Sequence, residues 1–181
     1  CIVGHHVDDG CTHVTFMKPQ ANSCTTGNLI RPEPPAIAVG VVTMLTPLAE
    51  DCTVAFHLDQ NSSTGAAIDS VRIVDPYLED IYGDAFRVGV AYDASPARWS
   101  VVGADRLGKI ASFQVDGGRF AGDGATAGYG PARKAFRFAS RPNVASCRIL
   151  FPCARADVAH LPPHATFQSL ARAEDAGRER P

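Results

Sequence analysis

The chain has six cysteines in 181 residues and no Cys-x-x-Cys pair among them. That absence excludes zinc ribbons, thioredoxin-type redox sites and covalent haem attachment. Gly-x-Ser-x-Gly is missing, and so is the phosphate-loop pattern ending in Gly-Lys-Ser/Thr. The usual signatures of an α/β-hydrolase nucleophile and of a nucleotide cradle are therefore both lacking. No apolar run approaches the ~18 residues of a membrane-spanning helix. The longest, Ala36–Leu45, contains Gly40 and Thr43 and suits a buried strand. Helical spacing is scarce, as is tryptophan, with Trp99 alone.

What is present is a globular composition, 45% apolar and 20% charged. The net charge of −2 is divided unevenly. Residues 1–92 carry 11 acidic and 4 basic side chains, and residues 93–181 carry 8 acidic and 13 basic. The basic residues are scattered among apolar ones, as in Arg133, Lys134, Arg137 and Arg141. That pattern reads as the outer face of a strand, and no nucleic-acid motif accompanies it.

Short apolar segments alternate with turn-formers. Candidate strands are Thr12–Met17, Ala36–Leu45, Cys52–Leu58, Ser70–Val74, Phe86–Asp93, Arg98–Gly103, Lys109–Val115, Lys134–Ser140 and Cys147–Phe151. Phe86 and Val88 would share one strand face and Arg87 the other. Many short β-branched and aromatic strands at this spacing predict an all-β fold, an antiparallel β-sandwich or barrel stabilised by disulfides. Pro76–Tyr82 predicts one helical turn capped by Asp75. The tail predicts a short C-terminal helix from Phe167, Leu170 and Ala171. The domain reading is a single β domain over residues 1–164, with residues 165–181 as helix and tail.

Within Ile81–Val115, Val88, Val90, Tyr92, Asp93, Ser95, Arg98, Trp99, Val101, Asp105 and Phe113 form an ordered pattern. Upstream, His13, Asn22, Gly27, Asn28 and Pro47 form a second. Together, over about residues 11–115, they resemble an uncharacterised β-rich repeat domain of secreted bacterial proteins. The chain departs from it in its cysteines and in a longer loop before Trp99. The resemblance implies a β-fold and a secreted setting, and it implies no catalytic residues. Read physically, Tyr92–Trp99 is a hairpin with turn residues Asp93 to Pro96. Trp99 then packs in the core, or else grips a sugar ring.

Several clusters invite chemistry. His5, His6, Asp8, Asp9 and His13 have the density of a metal site, with His57, His160 and His164 as further donors. Neighbours such as His5 and His6 point oppositely in a strand, so a solvated polar segment is preferred over a metal centre. Asp59, Asn61 and Ser63 alternate as oxygen ligands would, but a calcium loop's glycine and terminal acid are missing. The glycine-rich stretch after Asp116 reads as a surface loop, and Glu79, Asp80 and Asp84 as acidic turn residues. No catalytic residue, metal ligand or cofactor is assigned.

The cysteines Cys1, Cys11, Cys24, Cys52, Cys147 and Cys153 are the disulfide candidates. Such pairing implies a secreted or cell-surface location, periplasmic or outer-membrane settings included. Cys1 is expected to be a processed N-terminus that carries a lipid as in a lipoprotein, or to join a third disulfide. A nucleophilic Cys1 is the less favoured reading. The expected function is a non-enzymatic binding or assembly module. Its partner would be a protein or further copies of itself, with no nucleic acid, and membrane contact only through lipid on Cys1. An extracellular hydrolase or carbohydrate-binding domain is the alternative.

Overall fold

The structure, a computed structural model, describes residues 1–8, 11–32, 38–59, 67–89, 109–121, 134–139 and 143–170. Three sheets run through it. Sheet A contains β1 (Val3–Val7), β4 (Thr26–Ile30), β7 (Val54–Leu58), β10 (Phe86–Val88), β13 (Phe136–Phe138) and β15 (Val158–Ala159). Sheet B contains β2 (His13–Met17), β5 (Ala38–Leu45), β8 (Ala67–Val74), β11 (Ile110–Asp116), β14 (Cys147–Phe151) and β16 (Thr166–Ser169). Sheet C contains β3 (Gln20–Asn22), β6 (Leu48–Cys52), β9 (Tyr77–Ile81) and β12 (Arg119–Ala121).

Every ladder is parallel. Through β12 the chain visits A, then B, then C, and returns to A beside the strand it left; after β14 a 3₁₀ turn, Arg155–Asp157, leads straight from B to β15 in A. This is a parallel β-solenoid, in which each coil stacks on the one before. The expected antiparallel sandwich or barrel is corrected here. Strand alternation reports which face is buried, and it is the same for parallel and antiparallel neighbours. A parallel pair needs a long crossover between its strands. In this chain the strands of the other sheets within each coil supply that crossover.

Two helices expected from the sequence are strands instead. Tyr77–Ile81 forms β9: Leu78 points inward between Tyr77 and Glu79, and the positive φ of Asp80 breaks the alternation so that Ile81 is buried as well. Thr166–Ser169 forms β16 at the edge of sheet B. Residues 171–181 lie outside the described residues, as do Tyr92–Trp99 and most of the glycine-rich stretch.

The core lies inside the coils. Sheet B contributes the inward column Val42, Val71, Phe113 and Cys147 and the column Met44, Ile73, Val115 and Ile149. Sheet A contributes Phe56, Phe86 and Phe136, which are ladder partners. Their rings stack nearly parallel, with centroids 5.0 Å apart for Phe56–Phe86 and 4.4 Å for Phe86–Phe136. Phe151 meets Phe86 and Phe136 edge-on. Arg87 points to the opposite face from Phe86 and Val88, as the alternation predicts.

The corner between sheets B and C repeats. Lys18, Thr46, Asp75 and Gly117 all adopt positive φ, from 47° to 77°. Their amides donate to Leu45, Val74, Asp116 and Leu150 carbonyls of the next coil, so the ladder continues through the bend. Pro19, Pro47 and Pro76 follow and are buried, placed where no ladder donor is required.

Candidate functional site

The outward face of sheet B is a regular exposed surface. One straight column carries Thr15, Thr43, Arg72, Gln114, Arg148 and Thr166, each one rung from the next. A neighbouring column carries Ser70 beside Ser112, and Ser112 lies 3.4 Å from the Gln114 amide. Arg72 and Arg148 reach the same carboxylate. Each Nη2 lies 3.3 Å from an oxygen of Asp116, and the two side chains remain 54% and 52% exposed. Two guanidinium forks share one acid, so among the described residues the Arg72–Asp116–Arg148 group carries one net positive charge.

The face continues over the proline corner into a groove lined by Lys18, Gln20, Thr46, Leu48, Tyr77 and Arg119, about 430 Å³ in volume. The Arg119 guanidinium lies over the Tyr77 ring, 4.5 Å from its centroid. A hydrogen bond with Glu79 and burial hold the Tyr77 phenol above its ordinary range. Asp75 accepts from the Gly118 amide at 3.2 Å and braces the corner. In the sequence this groove was disguised, because Tyr77 and Glu79 stood in a segment read as a helical turn.

The residues singled out for metal chemistry do not converge. His5 and His6 face opposite sides of β1. His5 Nδ1 is 3.1 Å from Asn28 Oδ1, and its ring leans on Phe16 with centroids 6.0 Å apart. His57 is buried on β7, His160 Nδ1 is 3.2 Å from the Phe138 carbonyl, and His164 is exposed. Among the described residues no three His, Cys, Asp or Glu side chains are grouped to hold a metal ion. Asp9, Asn61, Ser63 and Trp99 lie outside the described residues.

Glu79, Asp80 and Asp84 also separate. Glu79 lies on β9, Asp80 takes positive φ at a corner, and Asp84 is buried before β10. Asp84 accepts from Arg87 Nε and Arg137 Nε, both at 2.7 Å, and from the Lys134 amide at 2.8 Å. This is an ion cluster on the outer side of sheet A, where Arg87 and Arg137 are ladder partners. Desolvation lowers the Arg87 pKa, and the Asp84 charge opposes that shift.

Cys1 and Cys24 form a disulfide. Cys11, Cys52 and Cys147 are free thiols, and Cys52, Cys147 and Cys153 are buried. A sulfur in a disulfide carries no thioether lipid, so the two expectations for Cys1 exclude one another, and the structure has the disulfide. That bond is compatible with an extracellular or periplasmic location. No described helix is long and apolar enough to cross a membrane. No protein-family model, no curated protein and no solved structure matches this chain.

Proposed function

We propose that this chain is a secreted or cell-surface, non-enzymatic binding module that docks a protein partner along the outward face of sheet B. The observation that carries the reading is the pair Arg72 and Arg148 bracketing Asp116 in a straight column of hydrogen-bonding side chains. Ladder spacing sets the two arginines about 10 Å apart along the coil axis, two rungs at ~4.8 Å each. Planar guanidinium forks on a rigid sheet suit carboxylates presented by an extended acidic segment. Solenoids use such repeating faces as elongated docking surfaces.

A concrete test uses poly-glutamate as the probe on the immobilised chain. Binding that weakens with salt and is lost in the Arg72→Ala, Arg148→Ala double variant is the expected result. Unchanged binding in that variant, or a response to neutral oligosaccharides in place of the acidic polymer, overturns it. The second outcome moves the surface to the carbohydrate-binding alternative, with Tyr77 and Leu48 as the apolar floor. Light scattering over a concentration series separates a foreign partner from self-assembly.

A further inference from the structure

Three cysteines occupy equivalent places on successive coils. The register of sheet A pairs Val3 with Thr26 and Thr26 with Val54. Two residues earlier on each strand stand Cys1, Cys24 and Cys52. The ladder is intact there, because the Thr25 amide donates to Cys1 O at 3.0 Å and the Thr53 amide to Cys24 O at 3.1 Å.

The sulfurs repeat as well. Cys24 Sγ lies 3.2 Å from the Asn22 carbonyl oxygen, and Cys52 Sγ lies 3.2 Å from that of Glu50. Asn22 and Glu50 are themselves ladder partners. The two side chains therefore hold the same position one rung apart, ~4.8 Å in a parallel sheet. The Cys1–Cys24 bond joins Cα atoms 4.5 Å apart, so a one-rung step is within a disulfide's reach. Cys24 is flanked on one side by the sulfur it is bonded to and on the other by a buried free thiol.

We propose that Cys1, Cys24 and Cys52 form a three-sulfur exchange site, in which the disulfide moves between Cys1–Cys24 and Cys24–Cys52. The step is thiol–disulfide exchange. The Cys52 thiolate attacks the Cys24 sulfur and the Cys24–Cys52 bond forms. The Cys1–Cys24 bond breaks, and its electron pair leaves on Cys1, which takes up the proton that Cys52 released. One disulfide and one thiol stand on each side, so no oxidant or reductant is consumed. The consequence is a change of address. A thiol buried at Cys52 becomes a thiol at Cys1, which is exposed. This inference is independent of the partner proposed for sheet B.

The test is alkylation of the native full chain with N-ethylmaleimide in the absence of reductant. Pepsin digestion at low pH then halts exchange, and the linked peptides are mapped by mass spectrometry. Expected are label on Cys1 and a Cys24–Cys52 linked peptide growing in parallel, with both lost in Cys52→Ser. Cys1 staying unlabelled while Cys1–Cys24 remains the only linkage overturns the proposal, as does equal Cys1 labelling in Cys52→Ser. Should Cys52→Ser fail to fold, Cys1→Ser serves in its place. Air oxidation of that variant must join Cys24 to Cys52, and two persistently free thiols there overturn the proposal.

Discussion

Asp84 and Arg137 are 53 residues apart in sequence, yet the Arg137 Nε lies 2.7 Å from an Asp84 oxygen, and the carboxylate is 1% exposed. One coil thereby holds the next through an ion pair placed outside the apolar core. Removing one partner leaves buried charge uncompensated. Asp84→Ala is expected to destabilise the chain by about 3–5 kcal/mol. Urea denaturation measures it, and a loss under ~1 kcal/mol would show the cluster to be peripheral.

The phenylalanine stack makes a second prediction. Phe86 is fully buried, with Phe56 and Phe136 on either face. Phe86→Ala opens a cavity that two neighbouring rungs cannot close without shifting the ladder. The expected loss is about 3–5 kcal/mol, against about 1 kcal/mol for Phe86→Leu. Comparing the two denaturation midpoints checks whether volume or aromatic stacking dominates.

Thr46 predicts a gain. It is β-branched, and it sits at φ 47° in the proline corner. An L-residue with that branching is strained there, and glycine is not. Thr46→Gly is expected to raise stability by up to ~1 kcal/mol, less the added freedom of the unfolded chain. A lower melting temperature in this variant would mean that the threonine makes a compensating contact.

Alkaline pH should loosen the fold. Burial pushes the Cys147 thiol from its ordinary 9.0 up to about 12, and it also raises Cys52. The folded chain therefore keeps protons that the unfolded chain gives up. The stability linked to this protonation is complete below pH 9.0 and is lost as pH rises toward about 12. Cys147→Val, which matches Val42 and Val71 in the same column, should flatten this limb. Melting temperatures taken from about pH 8 to about pH 10.5 decide it, since parallel slopes in the two proteins remove the thiol as the cause.

Much of the strand content was legible, and the way the strands pair was not. Cys147–Phe151 is a strand as read, and Ala38–Leu45 and Ile110–Asp116 lie within two residues of their expected bounds. Thr26–Ile30 was missed because Gly27 and Asn28 look like a turn. Gly27 is instead required by close approach, since an added Cβ would come 2.9 Å from the Ala55 carbonyl oxygen. Asn28 is buried, with its amide donating to that same oxygen at 3.2 Å. The coil period leaves short traces in the sequence, at Lys18-Pro19, Thr46-Pro47 and Asp75-Pro76 and at Cys1, Cys24 and Cys52, which the strand pattern alone does not bring out. Elsewhere it is hidden by uneven coil lengths. Ladder partners in sheet A advance by 23, 28, 30, 50 and 22 residues from coil to coil, so no fixed repeat stands out. The Arg72, Asp116 and Arg148 patch was illegible for the same reason, because a column across a solenoid draws one residue from each coil.

The Cys1–Cys24 bond spans 23 residues, which is also the advance from β1 to β4. The first coil is therefore closed by covalent bonds into a ring. A pull on the backbone at Cys1 passes through sulfur to Cys24, and the strands between them bear none of the load. Under tension the first structure to peel would be the Cys24–Cys52 coil. If the disulfide steps down one rung, the ring opens and the shielded segment becomes the first to give.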